Sequence, residues 1–146
     1  HLEGRSAFVV LGRGPGRAAA EAGALLLKEV AALPAQSLST AQFRHGPLEL
    51  AGERLAVVLL ATEPETADLD LTLAAELANA RSAVVVVSAE GDAPPGTLGV
   101  AVDHVHPTLA PVVSVVPIEL LAWALASRLG RIPGTMTRAT KVTTSE

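Results

Sequence analysis

Three stretches of this chain are apolar almost without interruption: Ser6–Leu11 (SAFVVL), Leu55–Ala61 (LAVVLLA) and Ala83–Ser88 (AVVVVS). A strand with one wet face alternates apolar and polar side chains. Short, continuous, β-branched runs instead predict strands buried on both faces, as in a parallel sheet covered by helices. Leu98–Val105 (LGVAVDHV) predicts a weaker strand. Between the runs, Arg17–Leu33 is dense in Ala, Leu, Lys and Glu and predicts a helix that Pro34 closes. Pro64–Ala80 predicts a second helix, with Glu63 and Glu65 near its N-terminus, where the helix dipole favours negative charge. Leu109–Leu129 predicts a long, buried helix. Pro111, Ser114, Pro117 and Glu119 interrupt it, a poor pattern for a bilayer span.

Strands alternating with helices in this way predict a doubly wound α/β fold with a parallel sheet and right-handed crossovers. Ligands in such sheets bind beyond the carboxyl ends of the strands. Residues 1–130 read as one domain and 131–146 as a tail without helical period. Composition refines the picture: 49% of residues are hydrophobic but only 2% aromatic, so small and branched aliphatic side chains must build the core. The net charge of -4 provides no basic footprint for nucleic acid. With no cysteine, neither a disulfide framework nor a thiolate metal site is possible, and the cytoplasm is the expected compartment. The chain opens at His1 without a signal-like segment, and a piece cut from a longer polypeptide is expected.

Several positions carry candidate chemistry. The turn GRGPGR after the first strand either cradles an anion at a helix N-terminus or merely allows a tight turn at Gly12, Gly14 and Gly16. It is not a dinucleotide fingerprint, because Arg17 stands where the third glycine is needed, and no GK[ST] follows for a nucleotide loop. Glu29 shares a helical face with Ala22, Leu25, Leu26 and Leu33, so a desolvated carboxylate is expected. Such a group is paired in the core, placed in a cleft as a general base, or swung out to solvent. In FRHGPLEL, His45 reads either as a structural loop histidine or as a presented one, since Gly46 and Pro47 fix the local backbone and would hold the imidazole in one direction. In DHVH (Asp103, His104 and His106) strand alternation points the two histidines the same way but no third metal ligand is evident beside them, and Ser88 lacks the context of a nucleophile elbow.

Taken in order, the glycine turn, ALLLKE, FRHGPLEL and the terminal KVTTSE resemble the second half of a double sugar isomerase (SIS) protein. That family includes glucosamine-6-phosphate deaminases and the isomerase portion of glutamine:fructose-6-phosphate aminotransferase. The resemblance implies a five-stranded parallel sheet between helices, no cofactor and no metal. It also implies roles. Glu29 moves a proton between C1 and C2 of an open-chain sugar phosphate, His45 promotes ring opening from a neighbouring subunit, and Lys141 of the tail reaches the carbonyl. Gly12, Gly14 and Arg44 are the implied substrate contacts. The implied partners are a hexosamine or fructose 6-phosphate, a second subunit, and an N-terminal SIS domain in the parent chain, with neither nucleic acid nor membrane. Activity is then a property of the parent chain rather than of this segment alone.

Two departures qualify the roles. Ala22 and Leu26 occupy positions that are usually charged in the aminotransferases, and the alternative they motivate is a non-catalytic sugar-phosphate sensing or dimerisation module. The loop after Leu55–Ala61 reads TEPETAD, whose glutamates and proline repel a phosphate. The main phosphate anchor is therefore expected in another domain.

Overall fold

The computed structural model of the protein describes residues 1–136 and 138. Five strands form one sheet in the order β2-β1-β3-β4-β5, every neighbouring pair parallel. The strands are β1 (Ala7–Gly12), β2 (Ala35–Ser39), β3 (Leu55–Ala61), β4 (Ala83–Ser88) and β5 (Leu98–Ala101). The helices are α1 (Gly16–Ala31), α2 (Thr40–Arg44), α3 (Ala67–Asn79) and α4 (Ala110–Arg128), with 3-10 turns at Pro47–Leu50, Pro64–Thr66 and Pro107–Leu109.

The uninterrupted apolar runs have the predicted cause. Phe8, Val10, Val58, Leu60, Val85 and Val87 point into one core, beneath α1 and α4. Their alternates Val9, Leu11, Val57, Leu59, Val84 and Val86 point into a second core with Phe43 of α2 and Leu73 and Leu77 of α3. Both faces of the three central strands are thus dry, and polar alternation would leave unpaired groups in one core or the other.

β2 is absent from the sequence reading. It is an edge strand of sequence AQSLS, only partly buried, whose register on β1 runs from Phe8–Ala35 to Gly12–Ser39. β5 is shorter than predicted, ending at Ala101, and His106 instead caps the 3-10 turn before α4 by accepting from the Thr108 N–H. The predicted burial of the last helix is also corrected. α4 buries Ser114, Ile118, Ala122, Leu125 and Ala126, but Val112, Val116, Leu120 and Trp123 on its other side are exposed. Its span Pro107–Arg128 is long and apolar enough to cross a bilayer by length and composition, yet one side of it is packed on α1.

α1 and α4 meet closely because α1 turns a stripe of small residues inward: Gly16, Ala19, Ala20, Gly23 and Ala24. A side chain at Gly23 would meet Ile118 Cδ1 at 2.6 Å. α1 ends where Ala32 takes a left-handed conformation and its N–H bonds the Leu27 carbonyl, just ahead of Pro34.

Candidate functional site

β1 connects through α1 to β2 on one side and β3 connects through α3 to β4 on the other, so a crevice opens between the carboxyl ends of β1 and β3. The turn after β1, the start of α2 and the loop after β3 meet there. The β1 turn is tight: a Cβ at Gly12 would stand 2.6 Å from the Gly16 carbonyl oxygen, and Gly14 adopts φ +45°. Two of the first N–H groups of α1 are already bonded within the turn, Arg17 to the Gly14 oxygen and Ala18 to the Pro15 oxygen. Glu63 from the β3 loop packs on Gly14, its Cδ 3.4 Å from where a Cβ would be. An anion arriving at the turn would meet that acid.

The β3 loop holds unpartnered polar atoms. Thr62 Oγ1, Glu63 Oε1 and Thr66 Oγ1 are buried without a hydrogen-bond partner. The Glu63 carboxyl is raised above its ordinary range, first by burial and then by the neighbouring charges of Glu65 and Asp70. Asp70, in the first turn of α3, is fully buried and accepts a 2.8 Å bond at Oδ1 from Arg13 Nε. Burial raises its carboxyl too, and Arg13, then Thr40 and Arg44, pull it part of the way back. The Thr40 hydroxyl stands near enough to bias this carboxylate but outside hydrogen-bond geometry, and Asp70 Oδ2 is also unpartnered. The sequence reading passed over Asp70, although it lies on the same helical face as Leu73, Ala74 and Leu77. A carboxylate on that stripe was the available signal.

A cavity of about 100 Å³ opens beside this loop between Thr62, Glu63, His104 and Ala110. It is smaller than the roughly 300 to 1,000 Å³ typical of small-molecule sites. Ser88 donates to the Asp92 carbonyl at 3.2 Å and serves the local loop. Among the described residues, no group of three His, Asp or Glu side chains is placed to hold a metal.

Glu29 is not on the buried stripe, which corrects the expectation of a desolvated carboxylate. The inward face of α1 runs through Gly23, Ala24, Leu27 and Ala31, and two residues beyond Leu27 the helix has turned by about 200°, leaving Glu29 exposed with Ala22 and Leu25. Glu29 also sits thirteen residues past Gly16, roughly 20 Å along the helix from the glycine turn.

His45 is exposed and follows α2, its backbone N–H bonded to the Gln42 oxygen. α2 belongs to the sheet face opposite α1, because Phe43 lies in the core beneath α3. One copy of the domain therefore holds Glu29 and His45 on different faces. Arg44 donates from Nη1 and Nη2 to the two carboxylate oxygens of Glu76 on α3, at 2.8 and 3.3 Å. Lys141 lies outside the described residues.

Residues 1–128 match the family described as the SIS domain. The chain belongs to the SIS family. Over 127 residues it is 39% identical to the glutamine–fructose-6-phosphate aminotransferase [isomerizing] of Thermus thermophilus, covering 85% of this chain and 21% of that protein. The corresponding protein of Pyrobaculum aerophilum is 32% identical over 148 residues, 99% of this chain and 24% of that one. This SIS chain thus spans about a fifth to a quarter of the length of those relatives. Among solved structures, the C-terminal domain of glucosamine-fructose-6-phosphate aminotransferase from Francisella tularensis superposes with a TM-score of 0.78 at 26% identity, covering 87% of this chain and 37% of that one. A glucosamine-6-phosphate deaminase of Thermotoga maritima, at 23% identity and a TM-score of 0.73 over 93% of this chain and 40% of that one, shares the fold. The chain is a SIS domain homologous to those of phosphosugar-isomerising proteins, and its all-parallel five-stranded sheet is that of the family.

Proposed function

We propose that this domain is the catalytic SIS domain of a chain that isomerises, deaminates or aminates a hexose 6-phosphate, with fructose 6-phosphate or glucosamine 6-phosphate as substrate. The 39% identity to an isomerizing aminotransferase over 85% of the chain carries the reading. In this reading Glu29 transfers the proton between C1 and C2, His45 opens the ring, and Lys141 in the 131–146 tail reaches the carbonyl. Moving a proton next to a carbonyl needs a positioned carboxylate, and opening a hemiketal needs a group that gives and takes protons near neutrality. No cofactor is required for either step.

The placement of Glu29 and His45 on opposite faces supports a composite site. A second copy contributes His45, and a further SIS domain of the parent chain supplies the phosphate anchor that the acidic β3 loop does not offer. The exposed apolar side of α4 gives such a neighbour a surface to cover. A soluble, cytoplasmic homodimer follows from this reading.

The test is an assay of the full-length polypeptide with glucosamine 6-phosphate, following ammonia and fructose 6-phosphate together. Glu29→Gln is expected to lower turnover by roughly a hundred to ten thousand fold. Unchanged turnover in that variant would remove Glu29 from the chemistry. Ala22 and Leu26, uncharged beside Glu29, favour a second reading as a non-catalytic sugar-phosphate sensor. Ligand-induced thermal stabilisation without any turnover would support it.

A further inference from the structure

We propose that Glu76 is a positioning residue for His45, acting through Arg44. The inference rests on the isomerase reading above and adds to it a residue that no motif marks.

The segment that presents His45 has little strength of its own. α2 is five residues long, far shorter than a helix that persists alone in water. Its start is fixed by a capping box: the Gln42 N–H donates to Ser39 Oγ, and the Ser39 N–H donates to Gln42 Oε1. Phe43, fully buried, anchors the middle. At the end next to His45, the tie is the Arg44 guanidinium on the Glu76 carboxylate. Beyond His45 the chain turns at once, with Gly46 at φ +122° and Pro47 opening a 3-10 turn. The imidazole is exposed, so its direction follows from how residues 44 to 46 are held.

A forked pair suits that task. Two parallel N–H to oxygen bonds fix the plane of the guanidinium as well as its distance. Both partners are about a third to a half exposed, at 34% and 45%, and ion pairs in that setting add little to stability. The pair therefore acts on orientation more than on folding. It also takes one N–H from each terminal nitrogen of Arg44 and sets a carboxylate against the guanidinium, which offsets its attraction for a sugar phosphate.

The two roles open to Arg44 predict different kinetics. An arginine that binds the substrate raises KM when it is replaced and leaves Glu76→Gln silent. An arginine that positions His45 lowers kcat in both variants, because a group misplaced by an ångström forfeits much of its catalytic effect. The experiment compares Glu76→Gln, Arg44→Lys, the exchanged pair Arg44→Glu/Glu76→Arg and His45→Ala in the full-length polypeptide. Each is assayed with ammonium on fructose 6-phosphate and on its 5-deoxy analogue, which lacks the hydroxyl that closes the ring.

Glu76→Gln and Arg44→Lys are expected to lower kcat on fructose 6-phosphate by about tenfold, with KM and melting temperature close to the parent's. The exchanged pair should recover part of the loss. On the 5-deoxy analogue, which needs no ring opening, the loss should vanish. A raised KM in Arg44→Lys with Glu76→Gln silent would overturn the proposal in favour of direct substrate binding by Arg44. Full turnover in Glu76→Gln beside a dead His45→Ala would overturn it while leaving the isomerase reading intact. Full turnover in His45→Ala would sink both.

Discussion

Glu63 and Asp70 are acids that the fold holds toward their protonated forms, and this sets a direction for stability against pH. Burial is the leading cause at both, so the folded-state values lie above the ordinary 4.5 and 3.8. A carboxyl raised on folding favours the native state while it is protonated in both states, and that contribution is lost as pH rises through the raised folded value. Urea denaturation repeated from pH 4 upward should therefore show a component of stability that falls as pH rises past the ordinary carboxylate range. Glu63→Gln should flatten that component. An unchanged slope would mean that Glu63 is solvated in the native state. At this scale the sequence was partly legible. The tight turn at Gly12 to Gly16 was read from its glycines, whereas the buried carboxylate was assigned to Glu29 instead of Asp70. A helical face can be read from either of two neighbouring stripes when both are rich in Ala and Leu. On α1 the true inner stripe is the one with the smallest residues, because the sheet and α4 approach from that side.

At the scale of elements, the packing of α1 against α4 is the most demanding. Gly23 faces Ile118, which is fully buried, and an added methyl would stand within 2.6 Å of Cδ1 and 2.9 Å of Cγ2. Gly23→Ala should destabilise the domain by about 1 to 3 kcal/mol despite alanine's better helix propensity, since overpacking outweighs it. The combination Gly23→Ala with Ile118→Val should recover part of the loss in thermal denaturation. The central strands and long helices were legible because burial on both faces imposes a pattern on them. β2 was not, since an edge strand of five mostly polar residues shares its composition with loops and is held by its hydrogen bonds to β1. The start of α2 was concealed for a related reason: only the Ser39–Gln42 box and the burial of Phe43 distinguish it from a turn.

At the scale of the whole molecule, one side of α4 is left in water. Val112, Val116, Leu120 and Trp123 recur at helical spacing and are 47% to 63% exposed. Trp123 is the chain's single tryptophan, so its emission reports directly on whether that side is covered. In the separated domain at low concentration, emission should be red-shifted and readily quenched by acrylamide. As concentration rises and copies associate, or when a neighbouring domain is present, it should shift to the blue. Leu120→Asp should abolish that shift with little change in the domain's own melting temperature, because Leu120 is 63% exposed. A blue shift that survives the substitution would mean that Leu120 is not part of the covering contact, and association without any blue shift would place the interface elsewhere.

The pairing of α1 with α4 also constrains when this domain can form during synthesis. The two helices close one core, yet Gly23 and Ile118 are points separated by most of the chain. Until the ribosome has released Ile118, Ala122 and Leu125, the part of α1 that faces α4, Gly23 included, stays uncovered. The nascent domain must then wait with its sheet half dressed. A topology this non-local folds slowly, and its unfinished form is the one most in need of a chaperone.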